Sequence, residues 1–65
     1  MWKKVHRYKF LDWAMRGSGI EQIHAWCLKG VRTVIWGRPG AKKPVFKGLF
    51  DQDTGNIEYF EYINL

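Results

Sequence analysis

Three short apolar runs, Val31–Gly37, Pro44–Phe50 and Asn56–Ile63, alternate with two turns of opposite chemistry, and this C-terminal half limits the possible folds most tightly. The first turn, Arg38–Lys43, is basic and contains Pro39-Gly40; the second, Asp51–Gly55, is acidic. Runs of β-branched and aromatic residues bounded by Gly, Pro, Asn and Asp read as strands. A sheet of about three strands is roughly the smallest that persists, provided something packs on it. Both faces of this one are partly apolar. Val31, Thr33 and Ile35 oppose Val34 and Trp36; Val45 and Leu49 oppose Phe46 and Phe50; Ile57, Tyr59 and Ile63 oppose Phe60 and Tyr62. One face is expected to carry the N-terminal segment, and the other to stand half exposed or bound.

A chain of 65 residues makes one domain, expected to bury only about 60% of the surface it exposes when unfolded. Cys27 is the only cysteine, so no disulfide closes within the chain. A lone thiol fits a reducing compartment and argues against a stapled secreted scaffold. Stability then falls to four Trp, four Phe and three Tyr, each able to bury on the order of 150–250 Å². Homodimerisation is a route open to so thin a core. The longest apolar runs, such as Ala25–Leu28 and Val34–Trp36, fall far short of the roughly 18 residues of a spanning helix. A cytoplasmic setting without membrane contact is expected.

The first thirty residues supply the layer that covers the sheet. Met1–Phe10 interleaves Lys3, Lys4, Arg7 and Lys9 with Trp2, Tyr8 and Phe10, as a basic arm or a short edge strand. Phe10, Leu11, Ala14 and Met15 recur at helical spacing, and Gly17 suits a helix C-terminus. Ser18 and Glu21 form a capping box. Ile20, Ile23 and Cys27 then share a face, and Lys29 and Gly30 end the run, which predicts a second helix over residues 19–29. A competing reading pairs Ile23–Leu28 with Val31–Trp36 across Lys29-Gly30 and makes the chain a small all-β barrel. The expected fold is α+β: an arm over residues 1–9, a helical hairpin over 10–30, and a three-stranded antiparallel meander over 31–65.

Helix, Gly-Ser-Gly turn, helix and basic hairpin, in that order, resemble a winged helix-turn-helix. The residues are Leu11-Asp12-Trp13-Ala14, Gly19-Ile20, Ile23, Trp26 and Gly30-Val31, which are similar to a run in small excisionase-like and MerR-like DNA-binding domains. The resemblance spans some forty residues, with no third helix and an altered spacing after Ala14. It implies a second helix in the major groove and a hairpin on the neighbouring backbone.

Charge points the same way. Residues 1–50 carry all eleven bases against Asp12 and Glu21, a net of +9, while residues 51–65 carry four acids and no base. Such asymmetry suggests an anionic partner for the basic part, provided its cations gather on one side. Non-enzymatic DNA binding is the leading expectation, as in a small regulator or accessory protein of phages and mobile elements. Gln22 and Lys29 would reach base edges. Arg32, Arg38, Lys42, Lys43 and Lys47, with Lys3, Lys4 and Arg7 from the arm, would contact phosphate. The alternative is an interaction or inhibitor protein docking on a larger macromolecule through an aromatic sheet face of Trp36, Phe46, Phe50, Tyr59, Phe60 and Tyr62. A third reading stacks single-stranded bases on those aromatics.

No catalytic motif is present, and no cofactor or metal is expected. Asp51 and Asp53 suggest a calcium loop, but Tyr62 stands where the bidentate Glu belongs, so an acidic turn is the better reading. His24 and Cys27 are too few for zinc and lack an orienting group for nucleophilic catalysis. Gly17-Ser18-Gly19 lacks the Lys-Ser/Thr of a phosphate loop.

Overall fold

A computed structural model describes residues 1–17 and 19–64. It is a single five-stranded antiparallel sheet with one short helix. In chain order the elements are β1 (Trp2–Val5), α1 (Arg7–Met15), β2 (Glu21–Leu28), β3 (Val31–Gly37), β4 (Phe46–Asp51) and β5 (Ile57–Tyr62). The strand order is β1-β5-β4-β3-β2. The first and last strands thus lie side by side, β1 and β2 form the opposite edges, and the sheet is open where a barrel would close.

This corrects the two-helix, three-stranded arrangement. The three C-terminal strands stand where alternation places them, but residues 21–28 add a fourth and residues 2–5 a fifth. Lys29 and Gly30 take φ of 53° and 78°, the two positive angles of a tight primed turn whose twist matches a hairpin. That turn zips β2 onto β3 from Leu28↔Val31 to Glu21↔Gly37, with one bulge between Gln22 and His24. The cross-strand ladder of this hairpin outweighs the capping signal. Ser18, half of the supposed capping box, lies outside the described residues. Its other half, the Glu21 carboxylate, accepts a hydrogen bond from the Gly40 backbone N–H at 3.1 Å. The second helix of the winged arrangement therefore does not exist.

The first helix does form, starting earlier than its apolar spacing indicated. His6 caps it, its Nδ1 accepting from the Tyr8 N–H at 3.3 Å. Gly17, at φ 78°, lies just past its C-terminus. Of the two readings of the first residues, arm or edge strand, the chain adopts the strand: Trp2–Val5 pairs with Tyr59–Tyr62. The acidic segment is a turn, with Asp51 Oδ1 accepting from the Asp53 and Thr54 N–H groups at 2.9 and 3.2 Å.

The core lies between α1 and one face of the sheet. Phe10 sits 4.6 Å from Trp36, 4.9 Å from Tyr59 and 5.6 Å from Phe46, centroid to centroid. Trp13 adds a contact to Phe46 at 4.9 Å. These offset and edge-on geometries suit the ring quadrupoles. Space for them comes from Gly48, opposite Val34 and Tyr59, where a Cβ would stand 2.7 Å from Trp36 Cη2.

Candidate nucleic-acid interface

Strand alternation puts a second group of large side chains together on the face that no helix covers. From the β1 edge inward these are Trp2 and Lys4 on β1, Phe60 and Tyr62 on β5, and Lys47 on β4, following the pairs Trp2↔Tyr62, Lys4↔Phe60 and Lys47↔Phe60. Trp2 and Tyr62 meet edge to face at 5.1 Å. The Lys47 ammonium lies 4.7 Å from the Trp2 ring centroid and 5.1 Å from that of Phe60. Each contact contributes an attraction on the order of 0.5–1 kcal/mol at a surface site. Among the described residues no carboxylate pairs with Lys47; the neighbouring Lys4 is bonded to Glu58 at 3.2 Å. Beyond Tyr62 the face runs into a shallow groove of about 360 Å³ lined by Lys43, Pro44, Val45, Tyr62 and Asn64.

Lys43 is held there by the path of the basic turn. The Val45 N–H donates to the Trp36 carbonyl at 2.9 Å, and the Tyr62 N–H donates to the Val45 carbonyl at 2.9 Å. The turn thus folds back across the ends of β3 and β5. Gly37 permits this, because any Cβ there would strike the Lys43 carbonyl and the Ile23 side chain.

The other expected contact residues do not gather on one side. Arg38, the presumed phosphate ligand, turns inward. Its Nη1 donates to the Gly19 carbonyl at 3.0 Å, its Nη2 donates to the Trp13 carbonyl at 2.7 Å, and its guanidinium lies 4.3 Å from the Trp13 ring centroid. It ties the end of α1 to the chain entering β2. Arg38→Ala is therefore expected to lower stability by about 2 kcal/mol, a fall of roughly 10 °C in melting temperature. Arg38→Lys should recover little, since an ammonium lacks the planar fork. Thermal melts followed by circular dichroism check both variants, and unchanged melting would remove this role.

Gln22 lies on β2 opposite Trp36, on the helix side of the sheet, and Lys29 occupies the hairpin turn. Neither stands on a recognition helix. Arg32 and Lys3, opposite Phe50 and Glu61, also point to the helix side. Arg7 stacks on Tyr8 at 5.1 Å, and Lys42 is exposed at φ 58°. Lys9 and Arg16 are paired with Glu61 and Asp12. The six aromatics grouped as one docking face are likewise divided. Trp36, Phe46, Phe50 and Tyr59 lie on the helix side, whereas Phe60 and Tyr62 stand on the open side. Trp2 is the residue that expectation undervalued. Its place among lysines was visible in the sequence, but its meeting with Lys47 depends on pairing the two ends of the chain.

His24 and Cys27 fall on opposite faces of β2, and among the described residues no three His, Cys, Asp or Glu side chains gather as metal ligands do. Among the described residues no helix is long and apolar enough to cross a membrane. The class defined by this architecture is a small open antiparallel sheet with one helix on one face and an aromatic, cationic surface on the other. No protein-family model, curated protein or solved structure matches the chain.

Proposed function

We propose that this protein is a non-enzymatic nucleic-acid-binding module that takes single strands on the open face of its sheet. The observation carrying this reading is the Lys47 ammonium resting on Trp2 and Phe60 with no carboxylate opposite it among the described residues. Rings accept nucleobases of any sequence by stacking, and cations between them hold the backbone; each stacked base contributes about 1–3 kcal/mol. Lys43, Lys47 and Lys4 are the phosphate contacts, and Tyr62 and Trp2 the stacking surfaces. The wide spread of the remaining bases favours a short single strand over an extended duplex track, and among the described residues there is no second helix to serve as a recognition helix.

The test is a titration of tryptophan fluorescence with short oligo(dT), oligo(rU) and a duplex of equal length, repeated over several salt concentrations. Single strands are expected to quench and to bind more tightly than duplex. With about three phosphate contacts, the slope of log affinity against log salt should be near −2. Trp2→Ala and Lys47→Glu should each weaken binding on the order of tenfold or more, and Arg32→Gln, on the far side, should not. Equal affinity for duplex, or binding indifferent to both substitutions, would reject the reading. The comparison of oligo(dT) with oligo(rU) separates DNA from RNA.

A further inference from the structure

The two edges of the sheet are built differently. β1 is four residues long and carries Lys3 and Lys4, the short charged form by which natural sheets discourage pairing with another chain. β2 is eight residues long, with no Lys, Arg, Asp, Glu or Pro from Gln22 to Leu28. Among the described residues β3 is its only neighbour in the sheet. Trp26 and Leu28 stand 42% and 65% exposed along it. An edge of this length leaves about half of its backbone N–H and C=O groups directed outward, ready to template a further strand.

We infer that β2 pairs antiparallel with β2 of a second copy of this chain, joining two sheets into one. Charge selects that partner and that direction. Glu21 begins the strand and Lys29 follows its end, so an antiparallel pair brings the acid of each copy beside the base of the other, twice. A parallel pair would place like charges together. Pairing centred on Ala25 sets His24 of one copy opposite Trp26 of the other, inside the bulge at Ile23. This repeats across the seam the 5.0 Å His24–Trp26 contact within each strand.

Surface area agrees. The chain exposes 4845 Å², whereas a compact monomer of 7.7 kDa is expected to expose about 4,300 Å². The excess, about 500 Å² per copy, is a large part of the roughly 800 Å² that each partner contributes to a standard interface. The twofold axis of such a pair runs perpendicular to the sheet, so both helix-free faces look the same way.

Sedimentation velocity on the full chain, from about 1 µM to about 1 mM, covers weak reversible pairing. The expected result is a concentration-dependent rise toward twice 7.7 kDa. Leu28→Lys, at an exposed position, should keep the protein monomeric throughout. Glu21→Lys or Lys29→Glu alone should weaken association about tenfold, because two attractions become two repulsions. The double swap Glu21→Lys/Lys29→Glu should restore it. Should Glu21→Lys unfold through loss of its bond to Gly40, Lys29→Glu alone still carries the repulsion, and circular dichroism confirms its fold. A monomer at every concentration overturns the inference. So does a dimer indifferent to Leu28→Lys, or a double swap that fails to recover association.

Discussion

Phe46→Ala should leave the chain without a cooperative unfolding transition at 25 °C. Phe46 is the most deeply buried large side chain, 1% exposed, and it holds both aromatic residues of α1 that reach the sheet: Phe10 at 5.6 Å and Trp13 at 4.9 Å. Truncating such a residue costs about 3–5 kcal/mol, the lost transfer energy plus the cavity left behind. At roughly 0.05–0.15 kcal/mol per residue, a chain of this size holds only some 3–10 kcal/mol in all. Few other groups share the load, since Phe10 and Val34 are the only other fully buried apolar residues among those described. Urea titration followed by near-UV circular dichroism measures the outcome. A sharp transition with a midpoint close to that of the parent protein would show that the core lies elsewhere.

Gly37→Ala has the second largest expected effect, and it reaches from packing to function. The added methyl group would meet the Lys43 carbonyl, a backbone atom with no rotamer to yield, and Ile23 Cδ1 at 2.7 Å. Overpacking of this kind costs about 1–3 kcal/mol. The collision falls on the segment that brings Lys43 beside Tyr62, so the basic turn should swing away from the end of the sheet. The expected result is a lower melting temperature together with weaker oligonucleotide binding than the loss of stability explains. Binding is to be measured at a temperature where the variant is fully folded. Unaltered affinity at that temperature would detach the turn from the binding face.

The parts of this architecture that sequence reasoning recovered are those written in local signals. Val31–Gly37 and its two successors alternate and end at Gly, Pro or Asp, and the strands follow within one or two residues. Leu11, Ala14 and Met15 with Gly17 gave the helix and its stop. The failures at Glu21 and Arg38 share one physical cause, because each turns on a partner distant in the chain. Glu21 stands three residues after Ser18, as the acid of a capping box does, yet its carboxylate serves Gly40, nineteen residues on. At Lys29-Gly30 the competing reading, a hairpin pairing Ile23–Leu28 with Val31–Trp36, is the one the chain adopts, with Lys29 at φ 53°. Arg38 looked like a turn cation, and only the proximity of the end of α1 turns it inward. At the candidate site Lys47 was identifiable as a base and Trp2 as an aromatic residue among bases. Their union waits on the register Trp2↔Tyr62 across sixty residues of chain.

The placement of the four tryptophans gives each region its own optical probe. Trp36 and Trp13 lie against Phe10, Trp2 stands on the open face beside Lys47, and Trp26 rides the unpaired margin of β2. Versions of the protein retaining a single indole would emit from the interior, from the face proposed to bind oligonucleotides or from the edge proposed to join two copies. Unfolding, ligand uptake and self-association could then be followed separately, one by each version, without any attached dye.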